Sequence, residues 1–359
     1  MPPSDTREIV GIQYLRAVAA VAVVLSHASG FAAQEKYFGV DFIDVFLHGG
    51  RRGVDLFFLV SGFIIAVASL RPGSLDPAIG GADFVVRRFA RLIPLMWLAI
   101  AVHSAVRFAA TGNFPLLPTL SAVTLAPFGS VEPAQIWTLR HEVLFYLAFG
   151  LSVLPGQRRL SLLVAWFLAP LILLIFPGAW SSHANGLDFF GVVLNPVNVE
   201  FGFGFLAAIL WLKITRDRSF VSPIHPLVVV SLAMLALMGL DGWLGRDFPD
   251  VLGRILFGAL CLPILLFASH VRCPDGPLDR LGHLIGRTSY SLYLFNPVIL
   301  LTIIAVWSAA LPQTSVALVV LVTTMATTAV CTVIGLRIEE PLVRASRRRL
   351  KSWLGPRAA

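Results

Sequence analysis

Arg16 and His27 stand inside the first apolar segment, QYLRAVAAVAVVLSHASG, with ten residues between them. An ionisable side chain in hydrocarbon costs about 2.5–3.5 kcal/mol on insertion scales, so such residues face a polar cavity or a partner. Eleven helical steps of about 100° bring the chain back to within about 20° of its starting direction, while a rise of about 1.5 Å per residue separates the two by roughly 16 Å. One face therefore carries both at different depths. That suits a site spanning half a membrane, with a cation toward one side and a general base toward the other. Histidine titrates where it can take a proton from a hydroxyl near neutral pH, and a carboxylate partner would hold it in one tautomer.

Three more segments carry charge into apolar surroundings. RRGVDLFFLVSGF begins with Arg51, Arg52 and Asp55 and has Ser61 deeper along it; IWTLRHEVLFYL carries Arg140, His141 and Glu142; FVVRRFARLIPLMW opens with Arg87, Arg88 and Arg91. In the orientation derived below, His27, Asp55, Arg140, His141 and Glu142 fall at the outer level and form a polar cluster. Glu142 is the first choice as partner of His27. Asp55 is the second, because it can pair locally with Arg51 or Arg52. Each of these residues could instead form an ion pair that only fixes packing. Polar contacts between membrane helices average well under about 1–2 kcal/mol, however, which is poor reason to hold several ionisable groups at one depth. Arg88 and Arg91 lie three residues apart on adjacent turns, where guanidinium forks can grip the diphosphate or ribose phosphate of a cytosolic cofactor. Arginines at an inner helix end are also what topology alone demands.

The elements that position these residues are helices in a bilayer. Of the residues, 57% are hydrophobic and only 13% charged, and the mean hydropathy is +0.81, a composition that marks a polytopic membrane protein. Apolar stretches recur at 10–33, 53–70, 88–109, 137–154, 160–177, 195–212, 226–241, 252–270, 289–310 and 315–336. The expected fold is all-α, with about ten transmembrane helices. With a cytoplasmic start, the inner loops and tails hold 20 of the 28 basic residues, as the positive-inside rule requires, so both termini are expected in the cytoplasm. The net charge of +8 then faces anionic lipid of the inner leaflet, and no nucleic-acid partner is needed to explain it.

Residues 1–340 read as one integral domain and 341–359 as a basic cytoplasmic tail, whose RASRRRLKSWL mixes arginines with apolar residues and suits an interfacial segment. A cleaved signal peptide is disfavoured, because Arg16 sits inside the apolar run instead of before it. Cys261, Cys273 and Cys331 have neither the number nor the spacing of a disulfide framework or zinc site, and no metal is expected.

Taken in order, GIQYLRAVAAVAVVLSH, GVDLFFLVSGF, RRFARLIP, IWTLRHEVLFYL, GRTSYSLYLFNP and RIEEPL resemble the acyltransferase-3 family of integral membrane O-acyltransferases, especially members that acetylate exopolysaccharide. The resemblance covers nearly the whole chain. It implies that His27 is the catalytic histidine with Arg16 as its partner, that Arg88 and Arg91 belong to an acyl-donor motif, and that Ser61 and Phe63 belong to a serine-glycine-phenylalanine element. It further implies that Trp137, Glu142 and Tyr146 form the signature of the fourth segment, and that Glu339 and Pro341 are structural. One position departs from the pattern: Asn296 stands where relatives carry a histidine. Asparagine can donate and accept hydrogen bonds but cannot act as a base near neutral pH.

The expected activity is transfer of an acyl group, acetyl from acetyl-CoA, to a sugar hydroxyl of a cell-surface or exported polysaccharide, lipid-linked or growing, at the bacterial inner membrane. His27 would act as general base or carry the acyl group briefly. Arg16 would stabilise donor phosphate or the thioester oxyanion, and Glu142 would orient His27. A secondary transporter for a sugar or anion, or a non-catalytic subunit of a polysaccharide export assembly, would be the alternatives.

Overall fold

A computed structural model describes residues 9–40, 52–153, 160–176, 188–215, 219–244 and 250–354. Helices α1 (Val10–Ala32), α2 (Arg52–Ser69), α3 (Gly81–Thr111) and α4 (Leu116–Thr124) lead into α5 (Trp137–Ser152), α6 (Leu160–Leu168), α7 (Phe189–Val193) and α8 (Val197–Leu210). After them come α9 (Pro226–Leu244), α10 (Asp250–His270), α11 (Pro277–Arg287), α12 (Ser289–Ala310), α13 (Val316–Ile334) and α14 (Glu340–Leu354). Among the described residues, strand pairing is confined to a two-residue parallel ladder, Phe220–Val221 with Val271–Arg272, and one isolated bridge.

Seven helices among the described residues are long and apolar enough to cross a membrane: Val10–Ala32, Arg52–Ser69, Gly81–Thr111, Phe189–Lys213, Leu252–His270, Ser289–Ala310 and Val316–Leu350. The other three expected spans are helical, and among the described residues their apolar parts are shorter. The stretch 137–154 yields the 16-residue α5, interrupted in its apolar character by Arg140, His141 and Glu142. At 160–177 the helix tightens into a 3-10 turn at Ala169–Leu171, where Pro170 cannot donate to the α-helical ladder. The stretch 226–241 lies within the 19-residue α9, whose apolar part is Pro226–Gly242. Among the described residues, the expected count of ten is not confirmed. Of the basic residues behind the expected orientation, Arg7, Arg51, Arg158, Arg159, Arg216, Arg218, Arg246 and Arg357 lie outside the described residues.

The first helix is the axis of the bundle, packed by α2, α9, α10, α11, α12 and α13. Its start and the helix after the last span lie at the same end. Tyr14 Oη donates to Asp279 on α11, Arg16 Nη2 donates to Ser289 Oγ at the start of α12 (2.9 Å), and Arg287 Nε donates to Glu340 at the start of α14 (2.6 Å). From there α14 packs back along α3. Buried Glu339 accepts from Ser291 Oγ (2.6 Å) and Ser291 N (3.2 Å), tying the end of α13 to the first turn of α12. This bears on where Arg16 and Arg88 end up, because the same end of the bundle holds the start of α3.

The tightest crossing joins α2 and α8 through glycines. A Cβ on Gly62 would sit 2.3 Å from the Phe201 carbonyl oxygen, and one on Gly204 would sit 1.8 Å from that of Leu59. Small residues let membrane helices approach this closely, where dispersion and backbone contacts hold them together. Gly62→Ala or Gly204→Ala is therefore expected to push α2 and α8 apart and to destabilise the bundle by about 1–3 kcal/mol. A lowered thermal midpoint in detergent would register it. A wild-type midpoint in both variants would mean that the crossing is looser than these distances require.

Candidate active site

A cleft opens between α2, α3, α5 and α12, with Arg16 of α1 at its wall. Arg88, Arg91 and Glu142 line it together with Ser61, Tyr146, Ser289, Tyr290 and Tyr293. Its α2 wall is mostly apolar and runs from Val54 to Ile65, a length of roughly 16 Å at the helical rise. Among the described residues, three guanidinium groups line it with one carboxylate, so the cleft favours an anionic guest at its Arg88 end. The opposite end is bounded by aliphatic and aromatic side chains.

Local structure holds these groups in place. The Arg88 guanidinium lies over the rings of Phe84 (5.4 Å) and Tyr146 (6.0 Å), a placement that fixes a planar cation by its attraction to aromatic faces. Tyr146 Oη donates to Glu142, one helical turn earlier on α5. Tyr290 Oη donates to the Leu92 carbonyl (2.8 Å), joining α12 to α3 just beyond Arg91. Tyr293 Oη hydrogen-bonds Thr138 and the Gln135 carbonyl, joining α12 to the start of α5.

The face of α1 that carries Arg16 and His27 is turned to α12. Arg16 meets Ser289; three turns along α1, His27 Nδ1 lies 2.7 Å from Asn296 Oδ1. The His27 ring also stacks on Phe31, with centroids 5.9 Å apart. Gly53, at the start of α2, rests against Ala19 and Val23, so the Val54 end of the cleft is level with the middle of α1. His27 stands about one turn beyond it.

The expected outer cluster does not gather around His27. Glu142 faces the cleft, bonded to Tyr146, and the place expected for it beside His27 is taken by Asn296. Asp55, the second choice, is buried in an ion-pair network instead. It accepts from Arg52 Nη1 (2.8 Å) and from Arg254; Arg52 Nε also pairs with Asp241 (2.9 Å), and Arg254 lies 3.7 Å from Glu200. Arg51, the other local partner considered for Asp55, lies outside the described residues. Arg140 turns away to pin the loop after α4, donating to the carbonyls of Gly129 (2.7 Å) and Phe128 (3.0 Å) and to Ser121 Oγ (2.9 Å). His141 is buried edge-on against Trp137 and Phe58, at 5.6 and 6.3 Å. The same loop is clasped to α3 by Glu132, which accepts from His103 (2.7 Å) and pairs with Arg107 (2.8 Å).

Sequence reasoning missed Glu200, Asp241 and Arg254, although an acidic residue inside VNVEFGFGF was a usable signal. It also passed over Ser289, Tyr290 and Tyr293. Removing one member of a buried network leaves the others uncompensated, which typically costs about 3–5 kcal/mol. Arg254→Ala should therefore lower the thermal midpoint sharply, and adding Asp55→Asn should recover part of the loss. Additive destabilisation by the two changes would show that the groups are not coupled.

A family model described as an acyltransferase domain, that of the acyltransferase-3 family, matches residues 9–336. The chain belongs to the acyltransferase-3 family. It is 31% identical over 333 residues to the exopolysaccharide production protein ExoZ of Rhizobium meliloti, covering 86% of this chain and 95% of that protein. It is 28% identical over 208 residues to the peptidoglycan O-acetyltransferase OatA of Listeria monocytogenes, covering 57% and 29%. With the O-acetyltransferase OatA of Staphylococcus aureus it shares 23% over 331 residues, 82% and 51%. No solved structure matches. As an acyltransferase-3 protein with its apolar helices, the chain is a multi-pass membrane O-acyltransferase, and the transporter and non-catalytic alternatives are set aside.

Proposed function

We propose that this acyltransferase moves an acetyl group from acetyl-CoA to a sugar hydroxyl of a cell-surface or exported polysaccharide, with the Arg88 end of the cleft facing the cytosol of a bacterial inner membrane. The observation that carries the reading is the cleft with its two ends: arginines at one, and a histidine one turn beyond the other. The donor's phosphates meet Arg88 and Arg91, whose i, i+3 spacing places two forks on one side of α3. Arg16 joins them. Its separation from His27 by roughly 16 Å along α1 supports a role at the phosphates over one at the oxyanion of the reacting carbonyl. The flexible pantetheine arm then lies along the apolar α2 wall and carries the thioester toward His27.

At that end His27 takes the proton of the acceptor hydroxyl as its oxygen attacks the thioester carbonyl and the CoA thiolate departs. In the second route the imidazole attacks the thioester carbonyl and expels the CoA thiolate, and the sugar hydroxyl then displaces the imidazole from the acetyl group, its proton passing to the released ring. Glu142 balances Arg88 at the wall and holds Tyr146. The names of the relatives, an exopolysaccharide production protein and peptidoglycan O-acetyltransferases, support a glycan acceptor. The carrier could be a lipid-linked intermediate or the growing chain. Mass spectrometry of surface glycans from a deletion strain tests the assignment. Loss of O-acetyl groups, restored by the wild-type gene, supports it; an unchanged acetyl content in the deletion overturns it.

A further inference from the structure

Asn296 is fully buried on α12, one residue before Pro297, which sits inside the helix. A proline has no N–H, so the carbonyl four residues before it, that of Tyr293, loses its helical donor. Asn296 supplies the replacement. Its Nδ2 donates to Tyr293 O (3.0 Å) and also to Leu292 O (2.9 Å). With two carbonyls on that side, only one orientation of the amide is allowed: the flipped form would set Oδ1 against two acceptors. Oδ1 is thereby aimed at His27 Nδ1, 2.7 Å away. An amide oxygen can only accept, so Nδ1 must carry a proton, and in the neutral ring the lone pair resides on Nε2.

We infer that Asn296 is a positioning residue: locked by the carbonyl that Pro297 leaves open, it holds His27 in the Nδ1–H tautomer and makes Nε2 the nitrogen that meets the acceptor hydroxyl or the acyl group. The inference rests on the proposed role of His27 and adds to it the choice of nitrogen and its cause. The role expected of a carboxylate thus falls to a neutral amide. A carboxylate would bring a charge to the ring, whereas an amide fixes its tautomer without one.

Three measurements test this. In wild-type protein carrying 15N-histidine, with the His27 resonances assigned by difference against His27→Ala, Nδ1 should be protonated and Nε2 unprotonated at a pH where the ring is neutral. An Nε2–H ring would overturn the inference whether or not the protein turns over. Asn296→Leu, close in shape but unable to accept, should mix the tautomers and lower kcat about 100-fold while the KM for acetyl-CoA stays within about twofold, because the phosphates bind elsewhere. Asn296→Asp restores an acceptor. Its second oxygen, however, faces the Leu292 and Tyr293 carbonyls that the amide nitrogen satisfies, so it should recover only part of the lost kcat. If Asn296→Leu keeps the wild-type kcat and pH profile while His27→Ala is inactive, Asn296 does not position the base and the catalytic reading survives. If His27→Ala itself retains turnover, the reading of His27 falls, and the tautomer measured in the wild type still judges the hydrogen-bond argument. A poorly folded Asn296→Leu protein leaves that measurement decisive.

Discussion

His27→Ala is expected to abolish O-acetyl transfer while the protein remains inserted and folded. The ring is half-buried and hydrogen-bonds Asn296, so truncation removes a proton acceptor without emptying a fully enclosed site. Loss of a positioned general base costs about 10²–10⁴ in rate. A larger loss follows if the ring also carries the acetyl group, since nothing then replaces the nucleophile. Because the cleft that would hold the donor lies a helical turn away, acetyl-CoA affinity should change little. Paired measurement of donor binding and of acetyl transfer to glycan by purified protein in nanodiscs separates the two. Transfer at the wild-type rate by stably folded His27→Ala would remove histidine catalysis from the account.

The class of fold and the helix face that organises the site were legible in the amino-acid sequence; the partners of that face were not. Periodicity needs only one helix. The angle between Arg16 and His27 follows from helical geometry, and both indeed turn to the same neighbour, at Ser289 and Asn296. Which residue completes the pair depends on how α1 and α12 align, and that alignment is set by contacts far apart in sequence. Charge pointed to Glu142 as the partner, because a carboxylate is the stronger acceptor. Packing decided otherwise: α5 turns Glu142 toward Tyr146 and the cleft, and Arg140 toward a loop carbonyl pair. Depth alone grouped Asp55 with His27, yet residues at one depth can belong to different sides of a bundle. Asp55 instead found Arg254, on α10. Among the spans, Arg140, His141 and Glu142 interrupt the apolar run of α5, and Pro170 falls in a 3-10 turn, features that the hydropathy of a window averages away.

Arg88→Ala combined with Arg91→Ala is expected to weaken acetyl-CoA binding about 100-fold or more with little change in acceptor affinity. Both side chains line the cleft with Arg16. Hydrogen bonds to charged groups contribute about 1.5–3 kcal/mol each, so losing one fork at each position exceeds a tenfold effect per residue. The two arginines differ in how they are held. Arg88 rests on Phe84 and Tyr146, and its removal should also loosen Tyr146, leaving Glu142 to face Arg91 or Arg16. Arg88→Lys keeps the charge but loses the planar fork and the fit to those rings, so it should recover only part of the affinity. A topology anchor would behave differently, because lysine serves the positive-inside rule as well as arginine does. Titration of acetyl-CoA against the double alanine variant and against Arg88→Lys therefore distinguishes a phosphate grip from an anchor. Unchanged donor affinity in the double variant would return both arginines to the task of orienting α3, and Arg16 would then be the remaining cation of the cleft available to the donor.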